Sequence, residues 1–515
     1  MPSSPSLSED LPGLPPGPNE TLQPPSAARH LENHPEHEAE RTWKGPAPWW
    51  LMALTSFNRI IWGLTFMARF RLYSQLLYLQ VHVTGGFIQN TRPFFEPYLA
   101  EKNAHLIHSS RDDPVQVSMV IDLFSVSFLV TEILTLLTLA WWGSFSDRYG
   151  RKRMLGIASI AQLLSCLMVL LVANYVQVLP GAYVYWFLIF DIIILGALGG
   201  TESEFVTVLA YLSDVSMGEK RSRLFTVVLG LVWAGSSIDV KLGDFVLQKT
   251  SSLLWVFYTA AALRIIHACL VWFILPESLT REQMHRTTVA HQETHLSTTS
   301  EPLPLLWFKR LFFFLKPLSM LFPEKVSPAN SPVRRDWSLT ILVAASATMV
   351  LVSSPLAVFQ WFYALDKFGW EKLSNYIPLI SNARIISLVL ILLCKIYSLH
   401  KSDGQEATLS AHKLLNGSQG SRLLSTPDVS ITSLFDLGVA RLSVLVIIAT
   451  YIILPLAPTE TIFTLFSVLQ TLGAGFYPVT NSLAFELYTG GIKRNGLVES
   501  GKFFATLHLV FIVVP

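Results

Sequence analysis

The chain has 515 residues, of which 51% are hydrophobic and only 14% charged, with a formal net charge of +2. An average soluble domain carries about 25% charged residues, so a soluble globular class is excluded. The bases are scattered between apolar blocks, which excludes a nucleic-acid-binding face.

Residues 1–47 are rich in Pro, Ser and Glu and hold no apolar core that a signal peptidase could use. They are expected to form a disordered cytoplasmic tail, because such a segment buries too little surface to fold. Crossing a bilayer takes about twenty apolar residues in a helix. Eleven candidate segments follow, at about 48–67, 117–142, 154–175, 183–213, 224–247, 253–275, 337–365, 374–396, 436–455, 460–487 and 497–515. The 277–336 stretch divides them into six (48–276) and five (337–515). Inside it, 305–322 is apolar but contains Lys309, Arg310, Lys316 and Pro317, with Phe308, Leu311, Phe312 and Leu315 at helical spacing. That pattern predicts an amphipathic helix on the membrane surface, not a further span. Cys166, Cys269 and Cys394 lie far apart inside apolar blocks, so no disulfide framework, metal or cofactor is expected.

Lys and Arg set the orientation. With the N-terminus in the cytoplasm, the inward connections carry Arg148, Arg151, Lys152 and Arg153 (143–153), then Lys220, Arg221 and Arg223 (214–223), the long 277–336 and 397–435 loops, and Lys493 with Arg494. The short outward connections carry none in 176–182 and 456–459, Lys249 in 248–252, and Lys367 with Lys372 in 366–373. This is the positive-inside asymmetry. The first outer loop, with Arg69 and Arg71, departs from it, as long loops do.

The 143–153 stretch, GSFSDRYGRKR, sets one acid among four bases between two apolar segments. Gly143 and Gly150 allow tight turns there. The Gly143, Asp147, Arg148, Gly150, Arg151, Lys152, Arg153 pattern resembles the signature loop between the second and third helices of the major facilitator superfamily. Pro276-Glu277-Ser278 after the sixth segment agrees with it. So does a pattern shared by the fourth and tenth segments, Leu195-Gly196-Ala197 with Leu209-Ala210 and Leu472-Gly473-Ala474 with Leu483-Ala484. Gly199-Gly200, Ala210-Tyr211, Asp214-Val215 and Arg221-x-Arg223 look like the branch that contains proton-coupled folate transporters and their fungal relatives.

The resemblance implies an all-α polytopic membrane protein with two pseudo-symmetric six-helix bundles. The second is expected to lack its last helix, since the chain stops at Pro515 within the eleventh segment. It also implies a cytoplasmic gating loop. Asp147 would sit at the N-terminal end of the eleventh helix, which begins near Leu497, and Arg148 and Arg151 would pair with Asp214. The corresponding stretch of the second half, 394–401, has lost the pattern, and the fifth segment carries Gly235-Ser236-Ser237-Ile238-Asp239 where the family usually has glycine-proline-glycine.

An ionisable residue at the bilayer centre costs about 2.5–3.5 kcal/mol by insertion measurements, so each one needs a reason. Arg59, Glu132, Glu202, Glu204, Asp239, Arg264, His267 and Arg384 lie well inside their segments. Mixed signs allow mutual neutralisation between helices. The functional alternative is a polar cavity with a proton-carrying carboxylate, for which Glu132, Asp239 and Glu202 are the candidates. Glu202 and Glu204 are about 200° apart on a helix, and Asp191 shares a face with Glu202. Arg384, then Arg264, are candidate partners for an anionic group of the solute.

The expected function is secondary transport of a small solute by alternating access, coupled to protons, in the plasma membrane or vacuole. No ATP-binding glycine-lysine loop is visible, and no enzyme activity is expected. The alternatives are a sensor on a transporter scaffold and a truncated, inactive product. The orientation yields a direct prediction. The sequons at Asn19 and Asn416 face the cytoplasm, so endoglycosidase digestion of the chain made in a eukaryotic cell should leave its gel mobility unchanged.

Overall fold

The computed structural model describes residues 48–84, 114–175, 181–216, 219–250, 252–298, 313–322, 325–326, 334–368, 370–415, 431–492 and 498–513. The first half contains α1 Pro48–Thr84, α2 Pro114–Tyr149, α3 Arg151–Tyr175, α4 Gly181–Ala197, α5 Gly200–Asp214, α6 Glu219–Thr250 and α7 Leu253–Phe273. Next come α8 Arg281–Thr298, a 3-10 helix Phe313–Leu321 and a small antiparallel ladder pairing Lys325 with Arg335 and Val326 with Arg334. The second half contains α9 Ser338–Phe368, α10 Trp370–Leu415, α11 Ile431–Ile453, α12 Glu460–Gln470, α13 Phe476–Ile492 and α14 Ser500–Val513.

Among the described residues, eight helices are long and apolar enough to cross a membrane, and two shorter apolar helices run over Ser338–Ser353 and Ser500–Ile512. With α1 they account for all eleven expected segments. Their outer faces are apolar in stripes at helical spacing: Leu129, Ile133, Leu137 and Trp141 on α2, and Ile160, Leu164, Leu167 and Leu171 on α3 are all exposed. Such stripes on a water-soluble protein would aggregate; here they suit contact with lipid.

Two apolar cores hold the helices together. One gathers Leu139, Leu155, Tyr211, Phe225, Phe485, Tyr488, Phe503 and Phe504 at the end of the molecule where α2 meets α3. Its aromatic rings interlock, with Phe485 stacked on Phe504 at 5.1 Å and Tyr488 on Phe503 at 4.3 Å. The other core gathers Ile61, Val169, Phe257, Tyr376 and Phe463. Both draw residues from the two halves of the chain. The halves meet chiefly where α2 packs on α14 and where α6 packs on α10.

Several expectations are corrected. The 143–153 stretch is not a loop: α2 runs on to Tyr149, α3 starts at Arg151, and only Gly150, at φ 102°, lies between. Its glycine conformation replaces an eleven-residue turn with a single hinge residue. The first segment extends well beyond residue 67, so Arg69 sits in α1 and not in an outer loop. The fourth segment is broken between α4 and α5, where Gly199 and Gly200 have φ 95° and 56°. The tenth is interrupted by a 3-10 stretch at Thr471–Gly475. Of the expected surface helix, 305–312 lies outside the described residues. The part that is described, Phe313–Leu321, packs on the bundle, and its Leu321 is 5% exposed. At the start of α9, the Ser338 amide and hydroxyl donate to Asp336, at 3.0 and 2.7 Å, and hold its carboxyl below the usual range.

The hinge gives a test. A Cβ on Gly150 would need a disfavoured φ and would meet the Glu277 carboxyl carbon at 2.8 Å. Gly150→Ala should therefore destabilise by about 1–3 kcal/mol in thermal unfolding of the purified protein. Gly438→Ala, in open space on α11, should instead stabilise by about 0.5–1 kcal/mol.

Candidate functional site

The first candidate site surrounds the hinge. The guanidinium of Arg151, at 0% exposure, is at its centre. It donates from Nη2 to Asp147 Oδ1 at 2.6 Å and from Nε to Asp214 Oδ2 at 3.0 Å. Its remaining donors reach the hydroxyls of Ser146 and Ser500, both at 2.6 Å. Asp147 also accepts the backbone N–H groups of Gly501 at 2.9 Å and Lys502 at 2.7 Å. A carboxylate thus caps the N-terminus of α14, where the first N–H groups have no helical partner and the helix dipole favours negative charge. Ser500 completes the ring by donating to Asp214 Oδ1 at 2.6 Å.

A second carboxylate does the same for α3. Glu277 accepts from the Arg151 and Lys152 amides at 2.8 and 3.2 Å. Ser278 donates to Asp214 at 3.1 Å. Two carboxylates, Asp147 and Asp214, bond the one guanidinium, and a third, Glu277, bonds the backbone beside it. The two helix N-termini offset roughly half a charge each. Gly143 lets α2 and α14 approach: a Cβ there would lie 2.7 Å from the Gly501 carbonyl oxygen. Arg148 is not part of this ring. Its Nε donates to the Ser144 carbonyl at 3.1 Å and its guanidinium lies over Tyr149. One position beyond Asp147 on α2, about 100° round the helix, it is turned away from the ring.

The polar residues inside the spans form three further groups. In the first, Glu204 accepts from Asn58 at 2.6 Å and from Gln162, and Arg264 donates to the oxygens of both amides. His267 contacts Ser159 at 3.3 Å beside them. Arg264 is thereby satisfied inside the first half and is not presented to a solute between the halves. Nearby, Asp191 pairs with Arg69 at 3.4 Å, and Arg69 also donates to Ser165. Asp191 therefore sides with Glu204, on the α3 face. The face it was expected to share with Glu202 does not survive the break at Gly199–Gly200, which resets the helical phase.

The second group spans the halves. Glu202, with its side chain 42% exposed, faces His508 on α14 at 3.5 Å. The Tyr477 hydroxyl is 3.5 Å from the same ring nitrogen. Glu132, exposed on α2, feels the charge of Glu202. The third group also spans the halves. Arg59 donates to Ser236 at 3.0 Å, Ser237 donates to Asn382 at 2.6 Å, and Arg384 lies 4.0 Å over the Trp233 ring. The Asp239 side chain lies outside the described residues.

In the second half, α10 and α11 carry a buried pair, Lys395 with Asp436 at 2.6 Å. The 394–401 stretch is therefore not bare of its counterpart: the charges are reversed, with the base on the first helix and the acid on the second. Glu277, Ser500, His508, Trp233 and Asn382 join these groups although the sequence pattern points to none of them as site residues. Ser500, a serine opening an apolar run, carried a legible N-cap signal; His508 and Trp233 carried none.

Residues 64–403 match the family described as Major Facilitator Superfamily. An uncharacterized membrane protein of Schizosaccharomyces pombe is 24% identical over 348 residues, 64% of this chain and 52% of that protein. The MFS-type transporter avaJ of Aspergillus versicolor is 23% identical over 274 residues, 51% of this chain and 48% of that one. The chain thus spans about half the length of the curated relatives it matches. The fold is similar to the human organic anion transporter MFSD10 (TETRAN), with TM-score 0.56 and 13% identity over 91% of each chain. It is also similar to the proton:xylose symporter XylE, with TM-score 0.51 and 12% identity over 91% of this chain and 86% of that one.

Breaking a buried pair by removing one partner costs about 3–5 kcal/mol. Asp147→Asn and Arg151→Gln should each lower stability on that scale in chemical unfolding. The double variant should cost less than the sum, with a coupling of about 1–3 kcal/mol. Arg148→Gln should stay within about 0.5 kcal/mol of the native protein.

Proposed function

The chain belongs to the major facilitator superfamily, and from that premise we propose that it is a secondary active transporter, moving a small solute across a bilayer by alternating access with protons as the coupled ion. The observation that supports this most directly is the ring around Arg151. It joins α2, α3 and α5 of the first half to the N-terminus of α14 in the second through contacts that are good only while the two helix ends touch. A lock of that kind suits two bundles, 48–276 and 337–515, that rock about a central site. On the positive-inside reading this end faces the cytoplasm, and the conformation is then one with its inner gate shut.

Opening that gate exposes Asp147, Arg151 and Asp214 to water, which replaces the lost partners. The energy separating the two states therefore stays within reach of solute binding. Glu202 lies where the halves separate. Shut, it faces His508 and Tyr477; open, it faces water. A carboxylate whose surroundings change with conformation binds its proton with different affinity in the two states, and that difference is what coupling requires. Glu132 and Asp239 are the other candidate carriers. Glu204, held by Asn58 and Gln162 inside the first half, is a tie between helices. The likeness to the branch of proton-coupled folate transporters rests on the Gly199–Val215 motifs and Arg221-x-Arg223 and belongs to this same reading.

The test uses the full chain in sealed proteoliposomes with a trapped pH dye and a panel of solutes. A transported solute should trigger proton entry. Glu202→Gln should reduce that entry at least about tenfold while leaving solute counterflow, since exchange needs no net proton movement. Unchanged proton entry in Glu202→Gln, Glu132→Gln and Asp239→Asn alike would remove protons from the mechanism.

A further inference from the structure

One turn of α6, from Trp233 to Ser237, touches both halves of the chain. Ser236 receives Arg59 of α1, Ser237 donates to Asn382 of α10, and the Trp233 ring lies under the Arg384 guanidinium. Arg384 is the ninth residue of the span Tyr376–Ser398, about 12 Å along the axis from one end and about 21 Å from the other. It is half-buried and makes no ion pair or hydrogen bond with a described residue. A guanidinium has five N–H donors, and a ring face satisfies none of them directionally.

The groups around Arg384 do not cancel its charge. It feels the tyrosines Tyr376 and Tyr451, but these are neutral and their hydroxyls are engaged elsewhere: Tyr376 accepts from Gln360 at 2.7 Å and Tyr451 donates to the Ser353 carbonyl at 3.1 Å. Among the described residues, the charged side chain whose field it feels is a second cation, Arg59. The other buried bases of the spans have acids close by: Arg69 with Asp191, Lys395 with Asp436, and Arg264 beside Glu204. Arg384 is the departure. An arginine at mid-span costs about 2.5–3.5 kcal/mol by insertion measurements, and among the described residues no acid pairs with it.

Resting on the transporter reading, we propose that the Trp233–Ser237 turn with Asn382 and Arg384 is the solute site, and that the solute is an organic carboxylate. A carboxylate accepts two parallel N–H bonds from a guanidinium fork. Trp233 keeps the fork flat and oriented, and the Asn382 amide, held by Ser237 one turn along α6 from Trp233, is the candidate for a second polar group of the solute. Binding there would bridge α6 and α10, the contact between the halves on which alternating access turns.

Thermal unfolding of the full chain in detergent, titrated with matched pairs, tests this: benzoate and benzamide, nicotinate and nicotinamide, pyruvate and pyruvamide. At least one acid should raise Tm saturably while its neutral amide does not. Arg384→Gln should weaken that binding at least about tenfold, and Arg384→Lys should retain part of it. Should Arg384→Gln not fold, Asn382→Ala and Trp233→Leu serve in its place and should weaken the same ligand. Equal stabilisation by acids and amides, no stabilisation by any acid, or full affinity in Arg384→Gln would overturn the proposal. Flux in proteoliposomes separates it from the transporter reading. A carboxylate that binds through Arg384 but is never moved keeps the site and removes transport. A neutral solute moved equally well by Arg384→Gln keeps transport and removes the carboxylate.

Discussion

A guanidinium withdrawn entirely from solvent must be answered by charge placed in fixed positions, and the closed end of this molecule is arranged around that demand. Arg151 is answered by Asp147 and Asp214, and each of these is answered in turn: Asp147 by two amides of α14, Asp214 by the hydroxyls of Ser278 and Ser500. Because these groups sit on different helices, satisfying one charge fixes where α2, α3, α5 and α14 end. The aromatic core of Phe225, Phe485, Tyr488, Phe503 and Phe504 keeps water out. Low dielectric strengthens the pairs and makes an unmatched member costly. Such an arrangement is either whole or broken, which is the property a two-state gate needs.

Charges elsewhere in the spans divide by how completely the protein satisfies them. Glu204, Asn58, Gln162 and Arg264 form one network within the first half, and Lys395 pairs with Asp436 in the second. These ties hold helices together. Glu202 and Arg384 differ. Both lie where the halves meet, and the partners of each are weak: a histidine at 3.5 Å in one case, an indole face in the other. Incomplete satisfaction at an interface that must move is where proton and solute binding are proposed here, because only there does a change of conformation alter what the group meets.

The two halves are related, with differences. The Leu-Gly-Ala pattern occurs next to a break in both: α4 ends at Ala197 just before the Gly199–Gly200 break, and the second copy lies inside the 3-10 stretch Thr471–Gly475. An interrupted span frees backbone groups and shifts the phase of the residues beyond it. This is why Glu202 faces α14 although a straight helix would have aligned it with Asp191. The hinge ends of the second and third spans and of the eighth and ninth both carry an acid–base pair, with the signs exchanged. The first pair reaches an opposing helix N-terminus, that of α14.

That the chain crosses a membrane was legible in the sequence, because hydropathy acts locally and additively. The eleven apolar segments and the family pattern at 143–153 follow from residue type and order, and the pairing of Asp147 with the start of the eleventh segment was implied by the resemblance which that pattern carries. Which of several similar residues does what was settled only by the tertiary structure. Arg151 and not Arg148 meets Asp214, since a one-residue hinge at Gly150 fixes the angle at which α3 leaves α2. Arg264 is consumed by its neighbours and Arg384 is not, although both are arginines in the middle of apolar helices. A charge's environment is made by side chains far away in sequence, and neither composition nor spacing along one helix contains that information.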